Sequence, residues 1–295
     1  MKDINIMFGQ GCEIDCIYCK RNYYHKKGIG SKNYEDIIKD IKEKVKENKD
    51  TKIRLRFTGV GEPLMLPELL VVCKEVNQMG IPFDIETNGI KLSDFDLCKK
   101  LVALGLENID LTFQSHIKEV YKTIIGGYDY YEMIIKVLEN ISKLKLDMSL
   151  NIPIIKQNID HFHRVPFFIS QNFPKLSLQG TYFHLVRINS PTEMFKEAGF
   201  PLSRYANQIQ NQILLVKKEG YSVGLSTSAG SFPFCFFPLL IKEFNYDQKK
   251  FITDDMHIKT KYCKGCKYYN DCPGVAYTYL ELYGEEEFKD KAVMK

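Results

Sequence analysis

Hydrophobic positions in the first two-thirds of the chain switch repeatedly between two periods. Runs that are apolar at every second position, such as Lys52-Ile53-Arg54-Leu55-Arg56-Phe57, predict half-buried strands. Longer runs with apolar residues three and four apart predict helices. On this basis strands are predicted over 4–8, 52–57, 82–87, 108–113, 146–152 and within 176–188. Helices are predicted over 34–48, 66–79, 93–104, 130–144, 158–170 and 205–219. Pro67 suits a first helical turn, and Gly80 and Gly105 suit helix ends. Ser93 is the expected N-cap of its helix, and Pro166 is expected to kink or stop another.

Alternating strand and helix units specify parallel strands joined by right-handed crossovers. Six units fall short of the eight that close a barrel. The expected fold class is therefore α/β, a partial (β/α)6 TIM-like barrel. After Gly220 the rhythm changes. The remainder is rich in Gly, Pro, Cys and aromatic residues and ends in a short predicted helix, 277–283. The expected division is a barrel domain over 1–220 and a small C-terminal domain over 221–295.

Composition narrows the classes of function. With 41 basic and 37 acidic residues in 295, the net charge of +4 is too small to argue for a nucleic-acid partner. Lys42, Lys44, Lys46 and Lys49 alternate with Glu43 and Glu47 and read as a solvated helix face. Residues 1–8 are too short for a signal peptide. The most apolar stretch, 232–241, is short and broken by Pro233 and Pro238, so no membrane span is expected. A cytoplasmic, reducing location is expected. There, nine cysteines point to metal chemistry rather than a disulfide framework.

The cysteines cluster at the two ends. Cys73 and Cys98 fall within apolar helical patterns and read as buried, inert thiols. Cys12, Cys16 and Cys19 stand in Gly11-Cys12-Glu13-Ile14-Asp15-Cys16-Ile17-Tyr18-Cys19. Three thiolates on one short loop suit three irons of a cubane cluster, which normally takes four ligands, and so leave one iron open. A zinc knuckle is the alternative, but zinc sites usually pair C-x2-C units and close at four ligands. His161 and His163 read as surface residues rather than ligands. His116 and His184 lie near predicted strand ends.

The C-x3-C-x2-C spacing, with an aromatic residue before the third Cys, resembles the signature of the radical S-adenosylmethionine (radical SAM) enzymes. The segments that follow the predicted strands extend the resemblance. Thr58-Gly59-Val60-Gly61-Glu62-Pro63 is similar to the family's Gly-Gly-Glu-Pro segment, with Val60 in place of its second glycine. Glu86-Thr87-Asn88-Gly89, Thr112-Phe113-Gln114-Ser115-His116 and Leu150-Asn151-Ile152-Pro153 end strands three, four and five. The resemblance implies a [4Fe-4S] cluster on Cys12, Cys16 and Cys19 whose open iron binds the amino and carboxylate groups of S-adenosylmethionine. It implies that Tyr18 contacts the adenine, and that Gly59, Gly61 and Glu62 contact the methionyl amino group. Asn88 and Ser115, with Gln114 and Thr112 beside it, are further cofactor-facing residues, and Asn151 is the contact to the ribose. The implied reaction is one-electron cleavage of the cofactor to a 5′-deoxyadenosyl radical, which takes a hydrogen from the substrate. A reductant such as flavodoxin or ferredoxin is the implied partner.

Near the C-terminus, Cys263-Lys264-Gly265-Cys266 and Cys272-Pro273-Gly274 form a C-x2-C-x5-C arrangement. It resembles the auxiliary-cluster tail of SPASM and twitch radical SAM proteins. Gly230 and Cys235 fit the Gly-x4-Cys half of that pattern. The family's Cys before the glycine is absent, and Ala276 stands where another Cys is expected after Cys272. Cys235, Cys263, Cys266 and Cys272 suffice for one auxiliary [4Fe-4S] cluster, and a structural zinc site is the alternative. Cys235 is either the fourth ligand, the preferred reading, or a free thiol that hands a hydrogen atom to a substrate radical. Relatives with such tails mostly modify peptides, so the expected substrate is a ribosomally made peptide that is crosslinked, epimerised or oxidised. The cluster motif begins at residue 12, which leaves no room ahead of it for a peptide-binding module. That weighs against the peptide reading, and a separate peptide-recognition protein is a further expected partner if the substrate is a peptide. The alternatives are a small-molecule dehydrogenase of the twitch type and, more remotely, a non-catalytic iron–sulfur or zinc scaffold.

Overall fold

Seven strands form one sheet in sequential order: β1 (Lys2–Phe8), β2 (Ile53–Gly59), β3 (Phe83–Thr87), β4 (Leu106–Thr112), β5 (Asp147–Ile154), β6 (Ser177–Leu185) and β7 (Val223–Leu225). The structure is a computed structural model that describes residues 1–8, 11–19, 33–59, 61–185, 196–225, 232–244, 257–272 and 274–291. The pairings β1–β2, β2–β3, β3–β4, β4–β5 and β6–β7 are parallel. Sequential parallel order with a helical crossover between strands is the expected partial barrel of the α/β class. The seventh strand is an addition to the six expected. It has three residues with Gly224 in the middle, too few to display a period of two.

By its internal packing the chain divides into two compact units. One comprises Met1–Asn151 and Phe167–Gln179, the other Ile152–Pro166 and Gly180–Lys295.

In the first unit the strands bury one set of alternating side chains, among them Ile6, Phe8, Leu55, Phe57, Phe83 and Ile85. The Phe8, Phe57 and Phe83 rings follow one another with centroids 4.9 Å apart at each step. The intervening positions carry charge instead. Arg54 pairs with Asp84 on the adjacent β3 at 3.3 Å, and Arg56 reaches Asp110 on β4, one strand further, at 3.0 Å, so the charges of β2 are neutralised within the sheet. The helix Tyr34–Glu47 buries Ile37, Ile38 and Ile41, while the helix Leu69–Gln78 buries Val72, Cys73 and Val76. Both inert cysteines are buried, and the Cys98 thiol donates to the Leu92 carbonyl at 3.1 Å.

The helices expected from 66 and 205 start at Leu69, with Pro67 ahead of the Glu68 N-cap, and at Leu202. Two further starts differ from expectation, each for a local reason. Ser93 closes a 3-10 turn, Ile90–Ser93, and Asp94 caps the following helix Phe95–Ala103. Its carboxylate accepts from Asp96 N at 2.9 Å and Leu97 N at 3.3 Å, and a negative cap also suits the helix dipole. Asn158 starts no helix. Its side chain accepts from Ile155 N at 2.9 Å and donates to the Pro153 carbonyl at 2.8 Å, which ties it into a turn. The helix there is Val165–Asn172, with Pro166 in its first turn, where a missing N–H does no harm.

The second unit is built on the helix Leu202–Lys218, which buries Ala206, Ile209, Ile213 and Val216. Tyr279, on the helix Tyr277–Tyr283, accepts from Leu202 N at 2.7 Å. A short antiparallel pair, β8 (His257–Ile258) with β9 (Val275–Ala276), brackets the segment that holds Cys263, Cys266 and Cys272. No helix among the described residues is long and apolar enough to cross a membrane.

Candidate functional site

The loop 11–19 follows β1 and carries Cys12, Cys16 and Cys19, all partly exposed. Cys19 N donates to the Cys16 carbonyl at 2.8 Å, which folds the last two thiols onto one turn. Two backbone bonds hold the loop to the end of the helix Lys118–Ile124: Asp15 N to Ile125 O at 3.3 Å and Ile17 N to Ile124 O at 3.0 Å. The chain can come this close because residue 126 is glycine. Its φ is +86°, and a Cβ there would lie 2.5 Å from the Asp15 carbonyl oxygen. Burial pushes the Cys12 thiol up to about 11 and holds the Cys16 thiol higher still. The half-buried Tyr18 hydroxyl bonds the Cys16 thiol and accepts from Gln114 Nε2 at 2.9 Å.

Glu62 lies just beyond β2 and is 2% exposed. It caps the 3-10 turn Pro63–Met65. Its Oε1 accepts from Leu64 N at 3.1 Å and from the Thr87 hydroxyl at 2.6 Å, and its Oε2 accepts from Asn88 N at 2.8 Å. Burial raises this carboxyl to about 7 against the pull of the three hydrogen bonds. Glu62 N in turn donates to the Gly11 carbonyl at 3.0 Å, which joins this segment to the cysteine loop. Gly59 has a local reason to be glycine. It pairs with Phe8, and a Cβ on it would lie 1.8 Å from the Phe8 carbonyl oxygen. Gly61 stands two positions on, and Val60 between them lies outside the described residues.

Asn88 connects the end of β3 to the thiols. Its Nδ2 lies 3.5 Å from Cys12 Sγ and 3.4 Å from Glu13 Oε2, while its Oδ1 accepts from Ile90 N at 3.0 Å. Beyond β4, Gln114 and Ser115 are fully buried, and the Ser115 hydroxyl accepts from Ile117 N at 3.0 Å. Asn151 on β5 is half-buried and in register with Thr112. The structure thus brings Cys12, Cys16, Cys19, Tyr18, Glu62, Asn88 and Gln114 into one bonded neighbourhood. It places Ser115 and Asn151 on the adjoining strand ends. Sequence reasoning missed the support from Ile125 and Gly126, for which the Gly126-Gly127 doublet was the available signal.

The second group of thiols also converges. Cys235, Cys263, Cys266 and Cys272 line one cavity with Phe234, Lys259 and several tyrosines. Cys266 N donates to the Cys263 carbonyl at 3.1 Å, and Gly274 N to Cys272 Sγ at 3.4 Å. Burial, followed by the charges of the other three thiols, pushes Cys235 up to about 12. Gly230 and Pro273 lie outside the described residues. Among the described residues no three His, Cys, Asp or Glu side chains meet tightly enough to hold a single metal ion.

Comparison with known proteins places this geometry. Residues 6–169 match the model of the Radical SAM superfamily. A probable GTP 3′,8-cyclase from Thermococcus kodakarensis is 26% identical over 203 residues, 67% of this chain and 60% of its own length. A 7,8-dihydro-6-hydroxymethylpterin dimethyltransferase from Methanocaldococcus jannaschii is 27% identical over 159 residues, 53% of this chain and 30% of its own. The chain therefore spans less than two thirds of either relative. Streptococcus suis SuiB bound to S-adenosylmethionine shares the fold with a TM-score of 0.61 at 14% identity, over 99% of this chain and 76% of that one. So does anSMEcpe with bound AdoMet and Cp18Cys peptide, with a TM-score of 0.59 at 17% identity, over 99% and 92%. The chain belongs to the radical SAM superfamily, whose enzymes use a [4Fe-4S] cluster and S-adenosylmethionine.

Proposed function

We propose that Cys12, Cys16 and Cys19 hold the family's [4Fe-4S] cluster and that the segments beyond β2 to β5 hold S-adenosylmethionine. One observation carries the reading: three motifs far apart in sequence are bonded together around the thiols. Glu62 N reaches Gly11 O, and Asn88 Nδ2 faces Cys12 Sγ. The donor set fits the cluster, since soft thiol sulfurs suit iron and a side-chain N–H and O–H are aimed at two of them. When bound, the cluster and cofactor supply one-electron cleavage of a carbon–sulfur bond. The chain's own work is binding and orientation. Glu62 presents a carboxylate to the methionyl ammonium, and Gly59 and Gly61 keep side chains away from it. Tyr18 meets the adenine, and Ser115 and Asn151 face the rest of the nucleoside.

In this reading Cys235, Cys263, Cys266 and Cys272 hold an auxiliary [4Fe-4S] cluster, and 221–295 is a SPASM- or twitch-like domain. Their shared cavity supports four-thiol ligation, and Cys235 is the fourth ligand rather than a hydrogen donor. The substrate is a ribosomally made peptide, reduction comes from a flavodoxin- or ferredoxin-type protein in the cytoplasm, and a separate protein presents the peptide. The bound peptide of anSMEcpe supports the substrate class. A second reading, a small-molecule substrate, is favoured by the relatives named GTP 3′,8-cyclase.

Anaerobic reconstitution with iron and sulfide, followed by reduction with S-adenosylmethionine present, tests the enzyme. Release of 5′-deoxyadenosine is expected, and its absence from iron-replete protein rejects the reading. Mass spectrometry of candidate peptides and nucleotides under the same conditions separates the two substrate classes.

A further inference from the structure

Two side chains, one on the thiol loop and one beyond β3, reach its sulfurs, and other residues fix each of them. Tyr18 has a single hydroxyl proton. Gln114, 1% exposed, donates its Nε2 into the Tyr18 oxygen at 2.9 Å. That bond uses an oxygen lone pair and turns the hydroxyl proton to its other partner, the Cys16 sulfur. Asn88, beyond β3, is pinned at two points. Its backbone N–H is held by Glu62 Oε2 at 2.8 Å, and its Oδ1 by Ile90 N at 3.0 Å. What remains is the Nδ2 amide, whose two N–H groups face Cys12 Sγ at 3.5 Å and Glu13 Oε2 at 3.4 Å. Hydrogen bonds to ligating sulfurs withdraw negative charge and stabilise the reduced, more negative cluster, so they raise its potential.

We propose that Tyr18 and Asn88 set the reduction potential of the N-terminal cluster by hydrogen-bonding the Cys16 and Cys12 sulfurs. Gln114 and Glu62 are the positioning residues behind them. The proposal rests on the reading that Cys12, Cys16 and Cys19 ligate that cluster. It gives Tyr18 a role through its hydroxyl that its ring alone does not supply, and it gives Gln114 a purpose apart from any cofactor contact. Reduction takes one electron from an external low-potential donor and breaks no bond.

The test is a dithionite redox titration, followed by electron paramagnetic resonance, of the reconstituted full chain without S-adenosylmethionine. Iron and sulfide are measured on the same samples. Tyr18→Phe and Asn88→Ala are expected to keep wild-type iron and to shift the N-terminal midpoint to more negative potential. Any midpoint arising from the Cys235–Cys272 group stays in place. Gln114→Leu leaves the loop itself untouched and reads the Tyr18 arm independently. It is expected to lower the midpoint in the wild-type background and to do nothing further in the Tyr18→Phe background. Full iron with an unmoved midpoint in both Tyr18→Phe and Gln114→Leu overturns the proposal. A wild-type protein that takes up no iron overturns the ligand reading beneath it, a different failure with a different signature.

Discussion

Gly126 packs so tightly against Asp15 that a single added carbon would lie 2.5 Å from the Asp15 carbonyl oxygen. The cysteine loop is thus seated on the backbone of a residue more than a hundred positions away. Gly126→Ala is expected to unseat the loop, because it adds both that clash and a strained positive φ. Its neighbour supplies the control. Gly127 has φ +88°, but a methyl group on it would meet nothing within 4 Å, so Gly127→Ala carries strain of only about 1 kcal/mol. Iron content after reconstitution should fall sharply in the first variant and hold in the second. Equal iron in both would show that the seating is not needed.

Glu62 is surrounded by donors, which makes its amide a poor substitute. In Glu62→Gln the NH2 group must face either Asn88 N–H or the Leu64 and Thr87 donors, whichever way it flips. A loss of about 1–3 kcal/mol in stability is expected from one unpaired buried donor. Urea unfolding of the metal-free protein measures it. On the proposed function, affinity for S-adenosylmethionine falls as well while iron is retained. A variant with wild-type stability would mean that the three bonds carry no net energy.

Asp84 predicts a slope of stability with pH. It is 1% exposed, pairs with Arg54 at 3.3 Å, and leaves Oδ1 without a hydrogen-bond partner. Burial outweighs Arg54 and lifts the carboxyl from 3.8 to about 6. Between those values the folded chain holds a proton that the unfolded chain has lost. Stability is therefore highest below about pH 4 for this group and is lost as pH rises toward 6, by at most about 1.4 kcal/mol per unit. Asp84→Asn should flatten that part of the profile, read by urea titrations of metal-free protein across the window. An unchanged profile would place the titration elsewhere, Glu62 and Asp110 being the other raised carboxyls of this unit.

Cys235 shares its cavity with Cys263, Cys266 and Cys272. On the proposed function it is the fourth ligand of an auxiliary cluster, and Cys235→Ala should then abolish or convert the auxiliary Mössbauer and electron paramagnetic resonance signals. An unaltered cluster, with cofactor cleavage intact and product lost, would assign it to hydrogen donation instead.

Sequence and structure agree where the determinant is local. The alternation of Ile53, Leu55 and Phe57 with Arg54 and Arg56 marks β2 because side-chain period is a property of a few neighbouring residues. The spacing of Cys12, Cys16 and Cys19 is legible for the same reason. Asp94 displaces Ser93 as a cap through a choice between adjacent residues that composition alone does not decide. The bond from Asn88 to Cys12 spans 76 positions, and that from Gln114 to Tyr18 spans 96. Such pairs depend on strand order and register, which no local pattern encodes.

Burial lifts the Cys12 and Cys16 thiols above their ordinary range, so on the proposed function the metal-free loop takes up iron from a protonated start. Before iron arrives, both sulfurs keep their protons at neutral pH. A protonated thiol is a weak nucleophile and a slow partner in disulfide exchange, so the empty loop withstands oxidants better than two freely solvated cysteines would. Each sulfur that takes up iron must give its proton to solvent. On the proposed function, loading is then an acid-releasing step, drawn forward by mildly alkaline buffer and driven back by acid.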